Sequence, residues 1–554
     1  MKNYLMSFFY EQKNRKYLYI LLGFVYFIGM FIPLMANDSA QHATMGMRMF
    51  LSDNFAELLK GENPYLDKPH MHFWLAGLSF KIFGLHQWAY RIPSILATII
   101  GAYSVFQLTK KLYDKSVAHY GSLIFLTSQS IILANHDVRT DAILTGATIF
   151  AIWQLFEYVS TKKTVNIVLG AIAMGISFST KGFYGVAIIV FAIFSQIIYT
   201  KKYKVLFSYK ILLAFLVFFL SITPVLYAYY IQFGWEGVEF ILWKQNVNRA
   251  TAKGFNQSSP DYFFFFHSLL WVFLPWAFLM YYGMFYQLKK WIKNNCKKTS
   301  GIEFLTIGSV LITLLIISFS KFKLPHYLNP LLPLLAVFTA GILYNLKKDT
   351  QQKTLKIFTG IVYFLTSLIV IISFLLLFFT FNTPNILIIL VSFILLLFLL
   401  LSIFKNEDFP NKIVINSVLL MILVNFILNS YFYPELLEYQ GGIKIAEIVN
   451  KNDSINLDDV FLYEDDICWI FDFYTQRNTP HLTKQTLKKM DKEVWLLIRN
   501  VSLETIKEDG FVISEKYEVN HFRVTRLNLK FLNPKTRASK LRKIYLLKIK
   551  PSLN

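Results

Sequence analysis

The residues equipped for chemistry fall in five short runs. Asp38 shares one stretch with Arg48 and Lys68; "HDVRTD" (136–141) sets Asp137, Arg139 and Asp141 within one turn; "STKG" (179–182) contributes Lys181. "KQNVNRATAKGF" (244–255) adds Lys244, Arg249 and Lys253, and "SKFKLPHY" (320–327) adds Lys321, Lys323 and Tyr327. Acid beside base in separate runs suits a polar, charged substrate: a carboxylate takes a hydrogen bond or proton from a hydroxyl, and fixed cations offset charge on a phosphate. In "YLDKPHMHFWL" (65–75), Pro69 biases Lys68 toward an extended backbone and presents its ammonium beside Phe73 and Trp74, an arrangement that makes a phosphate holder. Architectural readings stand beside each run. Asn37, Asp38 or Ser39 could cap a helix, Arg139 could pair with Asp137 or Asp141, Asp141 could favour a helix N-terminus, and lysines and arginines snorkel to headgroups. His42, His70, His72 and His136 lie on the same side, but no HExxH and no clean ligand spacing accompany them; no metal or other cofactor is expected to be required, and a divalent ion stays open as the lesser alternative.

These runs need elements to hold them. Of 554 residues, 55% are hydrophobic and 16% charged, with a mean hydropathy of +0.44, which excludes a soluble globular surface and implies a polytopic membrane protein. Hydrocarbon about 30 Å thick takes roughly 20 apolar residues per helix. About thirteen spans are expected, near 17–35, 87–108, 117–134, 142–160, 165–179, 183–200, 211–230, 264–287, 303–319, 326–345, 357–380, 384–404 and 413–432. The first is long and lacks a small-residue cleavage pattern, so it is expected to be a span and not a signal peptide. With the N-terminus inside, "KNRK" (13–16), "KKLYDK" (110–115), "KK" (162–163), "KKYK" (201–204), "KKWIKNNCKK" (289–298), "KK" (347–348) and "FKNEDFPNK" (404–412) all face the cytoplasm. Much of the net charge of +22 therefore reports topology and contact with anionic lipid, and no nucleic-acid partner is implied. An odd number of spans places the residues after 433 outside. Cys296 and Cys468 then lie on opposite sides, so neither a disulfide nor a cysteine metal site is expected.

The chemistry-bearing runs occupy the outward loops, where the positive-inside tendency selects against lysine and arginine; ionisable groups near membrane depth point to a substrate path. In the first loop (36–86), "NDSAQHATMGMRMFLSDNF" fits a short amphipathic helix lying on the membrane surface. The loop 231–263 reads as a lid over a lipid headgroup, with Arg249 for bidentate phosphate contact; an aromatic interface belt around Trp235 and Trp243 is the alternative. Prolines 325, 330 and 333 interrupt the entry to the next helix, as backbone lining a cavity allows. Residues 434–554 read as a small α/β domain: a helix at "IKIAEIVNK", strands at "DDVFLY", "EVWLLIR" and "FRVTRLNL", and helix-like connectors at "TKQTLKKM" and "SLETIKEDG". Its basic end, "NPKTRASKLRKIYLLKIKPS", either meets phosphorylated acceptors or an anionic membrane surface, or is a solvated tail. Asp465, Asp466 and Asp472 read as ordinary loop acids.

Taken together, Asp38 after the first span, "YLDKP", "RTDAILT", "STKG", "NVNRATAKGF" and "SKFKLPHYLNPLLP" resemble bacterial membrane glycosyltransferases of the GT-C type. The nearest likeness is to the aminoarabinose lipid A transferase family, distantly related to protein O-mannosyltransferases, and it runs from the N-terminus to about residue 345. The resemblance implies a GT-C fold over 1–433 with a periplasmic α/β domain over 434–554. It also implies transfer of a sugar from a polyprenyl (undecaprenyl) phosphate to an acceptor, lipid A phosphate foremost, at the outer face of the bacterial inner membrane. Family positions carry Asp38 over as the catalytic carboxylate, Asp141 as the second essential acid, Lys68 as the holder of the carrier phosphate, and Arg249 and Tyr327 as phosphate contacts. Lys321 and Lys323 are further candidates for the phosphate; Arg139, His42 and Lys181 for the substrate. Two positions depart from the family: Ser39 stands where a Glu is usual, and Lys244-Gln245 where an acid-histidine pair precedes the lid Asn-Arg. A single displacement would invert the anomeric centre. The alternatives are a protein O-glycosyltransferase of the same fold or a lipid-linked sugar transporter, whose charges would instead lie at the midplane in two repeated halves.

Overall fold

Inside hydrocarbon every backbone amide needs an internal partner, so each long apolar run has to coil into a helix. The computed structural model describes residues 8–251, 261–499 and 503–550. Among these, nine helices are long and apolar enough to cross a membrane: Gln87–Leu112, Asp141–Thr161, Thr164–Lys181, Phe183–Thr200, Lys210–Lys244, Pro325–Lys348, Gln352–Phe379, Ile386–Ile403 and Phe409–Leu437. The pair Lys115–Thr127 and Gln129–His136, bent by 52°, makes a tenth. The other three expected spans are helical but shorter or broken. Arg15–Met30 has 16 residues and Ile307–Phe319 has 13, while the 264–287 run divides into Phe264–Val272 and Ala277–Lys293 around Pro275, which lacks the amide hydrogen a continuous helix needs.

The connections alternate between two faces. Counted with each of the thirteen expected spans as one crossing, the turns 112–115, 161–164, 200–210, 293–307, 348–352 and 403–409, which hold the basic runs, fall on one face, and 30–87, 136–141, 181–183 and 319–325, which hold four of the five chemistry-bearing runs, on the other. Burial then ranks the helices. Pro325–Lys348 and Phe409–Leu437 are 89% and 83% buried over their most apolar windows and form the centre, whereas Gln352–Phe379 and Ile386–Ile403, at 22%, are left to face lipid. Tyr327 thus begins the most enclosed helix of the bundle.

In the first loop, Asn37 accepts the Ser39 amide hydrogen at 2.8 Å and caps the helix Asp38–Ser52, so the Asp38 carboxylate is not spent as a cap. The apolar side of that helix meets protein and not lipid. It is packed between Met71–Phe83 and the tail helix Trp469–Tyr474, with Ala40, His42, Ala43, Thr44, Met45, Gly46, Met47 and Met49 buried. Its apolar stripe is covered by protein, and Gly46 approaches so closely that a Cβ there would lie 2.9 Å from that of Ala76. A two-stranded turn, β1 (Leu59–Lys60) and β2 (Asn63–Pro64), precedes the Lys68 segment.

Beyond Leu437 the helix Gly441–Lys451 leads into a five-stranded sheet of β3 (Val460–Tyr463), β4 (His481–Leu482), β5 (Val494–Ile498), β6 (Val512–His521) and β7 (Arg542–Lys550), in the order β4-β3-β5-β7-β6. β3 runs parallel to β4 and β5; β7 is antiparallel to β5 and β6. Three expectations are corrected here. "FRVTRLNL" is not a strand: β6 ends at His521, and Val524–Arg526 is a single 3-10 turn. The last basic stretch is not simply a solvated tail, because Ile544, Leu546, Leu547 and Ile549 are buried in β7 between two neighbours. Asp472 is not a loop acid; it sits buried in Trp469–Tyr474, where desolvation pushes its carboxyl up to about 6. Asp466 is buried too, accepting the Arg499 amide hydrogen at 2.8 Å.

Candidate active site

Residues from five separate segments meet at the chemistry-bearing face. Asp38 and His42 come from the first-loop helix, Asp67 and Lys68 from the turn before Met71–Phe83, Arg139, Thr140 and Asp141 from the turn entering Asp141–Thr161, Lys181 from the end of Thr164–Lys181, and Phe322, Leu324, His326 and Tyr327 from the proline-rich entry. Together they line one cavity of about 140 Å³, room for roughly five waters at ~30 Å³ each.

Charge in and beside it is organised as one triad and two pairs. Arg139 reaches Asp137 at 2.9 Å and Asp38 at 3.4 Å, and Asn37 donates to the same Asp137 oxygen at 3.2 Å. Burial opposes the Arg139 charge, but Asp137, Asp38 and Asp141 outweigh it and raise its pKa, so the guanidinium stays protonated. Asp141 pairs at 2.7 Å with Lys181, both almost wholly buried, and the Lys181 ammonium stands 4.8 Å from the centre of the Tyr327 ring. Of the two partnerships open to Arg139, the fold selects Asp137 together with Asp38 and gives Asp141 to Lys181. Lys68 pairs with Asp67 at 2.5 Å; Tyr65 donates to that carboxylate at 3.4 Å, and the Gln245 amide donates to the Asp67 carbonyl at 2.6 Å. His42 lies one helical turn after Asp38 and so shares its face. Its ring is 5.5 Å from that of His72, and burial holds its pKa well below the ordinary value, which keeps it neutral.

Two backbone conditions set these side chains in place. Gly182, at φ +63°, turns Thr164–Lys181 directly into Phe183–Thr200, and a Cβ there would stand 3.0 Å from Gln245 Oε1. The segment before Asp38 is held from two sides. Arg91, fully buried, donates to the carbonyls of Met30 (2.8 Å), Ile32 (2.5 Å) and Pro33 (3.3 Å), and also to that of His136 (3.0 Å), tying the Asp38 segment to the 136–141 turn. From the tail, the buried Gln440 amide donates to the Leu34 carbonyl at 2.8 Å and accepts from the Ala36 amide at 2.5 Å, and the Tyr474 hydroxyl accepts from Leu34 at 3.0 Å.

The cavity gathers seven of the residues singled out from sequence: Asp38, His42, Lys68, Arg139, Asp141, Lys181 and Tyr327. It leaves out two. Lys321 is exposed, and Lys323, though buried, has its ammonium 5.5 Å from the centre of the Tyr262 ring, while its neighbours Phe322 and Leu324 line the cavity. Arg249 lies on the helix Gln245–Thr251, but its side chain, with Lys253 and Phe255, falls outside the described residues. His70 and His136 are buried elsewhere: His70 Nε2 is 3.1 Å from the Ala56 carbonyl, and His136 Nε2 is 3.4 Å from Asn429. No group of three or more histidine, cysteine or acidic side chains is placed to hold a metal among the described residues. Asp67, His326 and Arg91 had no role assigned from sequence; Asp67 and His326 lie inside "YLDKPHMHFWL" and "SKFKLPHY", and an arginine within the apolar run 87–108 was itself a signal.

Comparison with known proteins adds the following. Residues 67–227 match the family model described as dolichyl-phosphate-mannose-protein mannosyltransferase. The chain is 24% identical over 348 residues to undecaprenyl phosphate-alpha-4-amino-4-deoxy-L-arabinose arabinosyl transferase 2 of Proteus mirabilis, covering 61% of each. It is 28% identical over 295 residues to the corresponding transferase of Edwardsiella ictaluri, covering 52% of this chain and 51% of that one. The matched stretch thus spans about half to three fifths of the length of these curated relatives. Over the whole fold the likeness is wider: the crystal structure of ArnT from Cupriavidus metallidurans bound to undecaprenyl phosphate superposes with a TM-score of 0.72 at 16% identity, covering 96% of this chain and 97% of that one. The chain therefore has the GT-C glycosyltransferase fold of that protein, sheet domain included.

Proposed function

We propose that this chain is an integral membrane glycosyltransferase that moves a sugar from a polyprenyl phosphate, undecaprenyl phosphate by analogy with its relatives, to an acceptor at the outer face of the bacterial inner membrane, with a lipid A phosphate as that acceptor. The observation that carries it is the convergence of Asp38, Lys68, Arg139, Asp141, Lys181 and Tyr327 on one cavity at the end of the membrane bundle. In topology, the N-terminus and the basic turns lie in the cytoplasm, and the cavity and sheet domain lie in the periplasm.

Glycosyl transfer from such a donor asks little of the protein. The bond from the anomeric carbon to the phosphate oxygen breaks, and its electron pair leaves with the polyprenyl phosphate. An acceptor oxygen forms the new bond, and the hydrogen it carries, on a hydroxyl or on a phosphate monoanion, passes to a carboxylate. Lys68 offsets the charge growing on the leaving phosphate, and Arg249 on the lid helix joins it. Asp38, on the surface of the cavity and oriented by Arg139, is the carboxylate that receives the hydrogen. Asp141 and Lys181 neutralise each other and serve to fix the cavity wall and the Tyr327 ring. One displacement inverts the anomeric centre. No step calls for a cofactor.

Purified protein incubated with defined polyprenyl phosphate sugars and lipid A is expected to transfer, and Asp38→Asn to slow transfer by about 10²–10⁴-fold, the span typical of a positioned general base. Undiminished transfer by Asp38→Asn would remove that residue's role, and no transfer from any donor would remove the function. The matched family model carries the name of a protein mannosyltransferase, which keeps a protein acceptor as the second reading. Mass analysis of lipid A and of exported glycoproteins after gene deletion separates the two.

A further inference from the structure

Between residues 522 and 541 the chain carries six lysines or arginines and no acid. It lies between β6 and β7 and is docked on the end of a membrane helix. Arg537 donates to the Thr380 carbonyl, immediately after the span Gln352–Phe379, and its guanidinium stacks 4.6 Å from the centre of the Phe381 ring. Its second nitrogen donates to the Tyr439 hydroxyl at 3.0 Å, just past the last span, and Phe531 packs edge-on against Tyr439. The segment is therefore fixed at the height where two membrane helices leave hydrocarbon. One arginine and two aromatic rings hold it there, and its other cations are exposed.

Among the described residues those cations are unneutralised. Arg523, Arg526, Lys530, Lys535 and Lys540 are exposed and enter no salt bridge among the described residues, whereas Lys516, Lys543 and Lys548 of the adjoining strands all pair with glutamates. Among them stands Leu529, 83% exposed, with Leu527 at 40%. An isolated leucine on a soluble surface is unremarkable. At the exit of two spans, where Glu435 of the last span is an acid near Arg537, and on a segment that carries exposed cations and no acid of its own, it has the composition of an interfacial anchor: apolar groups entering the headgroup boundary and basic ones on lipid phosphates.

We propose that the 523–540 segment is a lipid-docking surface, seating the sheet domain on anionic phospholipid of the adjacent leaflet, with Leu527 and Leu529 entering the headgroup region and Arg523, Arg526 and Lys530 on lipid phosphates. The docking would brace the domain whose Gln440 and Tyr474 hold the backbone before Asp38. It does not depend on the transferase reading.

The test uses the full chain in nanodiscs of phosphatidylcholine with and without phosphatidylglycerol. In a Cys296→Ser background, Leu529→Cys labelled with an environment-sensitive fluorophore is expected to be quenched by headgroup spin-labelled lipid and shielded from aqueous iodide, more so with phosphatidylglycerol. Replacing Arg523, Arg526 and Lys530 with glutamine is expected to lower phosphatidylglycerol retention by roughly fivefold per charge removed at low salt. The same replacements at Lys289 and Lys290, on the opposite face, control for general loss of charge and should leave the Leu529→Cys quenching unchanged. Quenching by iodide but not by lipid, or phosphatidylglycerol retention unaffected by the three substitutions, would overturn the proposal.

Discussion

Asp141 and Lys181 are the residues of the cavity with the most to lose from separation. Both are almost wholly buried at 2.7 Å, and an ion left alone in such a place retains its desolvation cost with nothing to offset it. Lys181→Met is expected to destabilise the protein by about 3–5 kcal/mol, the range for breaking one half of a buried pair. The double variant Asp141→Asn with Lys181→Met should recover most of that loss. Thermal unfolding in detergent checks both, and additive losses in the double variant would show that the pair is not coupled. At this scale the sequence was informative about which residues matter and silent about who partners whom. "HDVRTD" left Arg139 two acids within its own turn, and only the approach of a helix forty residues later takes Asp141 away from it.

Side chains from two distant elements decide where Asp38 stands. The backbone from Phe31 to Asn37 has no regular structure of its own, and it is held by Arg91 on the membrane side and by Gln440 and Tyr474 from the tail. A lysine keeps the charge but cannot fork to carbonyls of two segments at once. Arg91→Lys is therefore expected to lower kcat by one to two orders of magnitude, about 1.4–2.8 kcal/mol, with KM for the polyprenyl donor little changed, because the residue places the carboxylate and does not touch lipid. A raised KM with an intact kcat in steady-state assays would contradict this. The helix Asp38–Ser52 shows why such contacts escaped the sequence. Its apolar stripe was legible, but a stripe does not say whether lipid or protein covers it; here the tail helix Trp469–Tyr474 does, more than four hundred residues away in the chain.

Across the whole molecule, the two cysteines report topology. Cys296 is exposed in the turn 293–307 on the basic face, and Cys468 is buried in the sheet domain on the other. With the N-terminus inside, a membrane-impermeant maleimide should label the native protein in inside-out vesicles and not in intact spheroplasts; labelling of Cys296 from outside would invert the arrangement. Hydropathy alone was enough to reveal ten of the thirteen expected spans, and the alternation of residue types the presence of an α/β tail. Hydrocarbon obliges every apolar run of sufficient length to become a helix, and lysine and arginine counts bias its orientation, so both are written locally. What only the tertiary structure decided was the convergence: five segments drawn from a stretch of about 290 residues closing on a single cavity, the exchange of partners among Arg139, Asp141 and Lys181, and the tail's grip on the segment before Asp38. Those depend on helices packing side by side and on which buried polar group finds which partner, relations between distant parts of the chain that no local pattern carries.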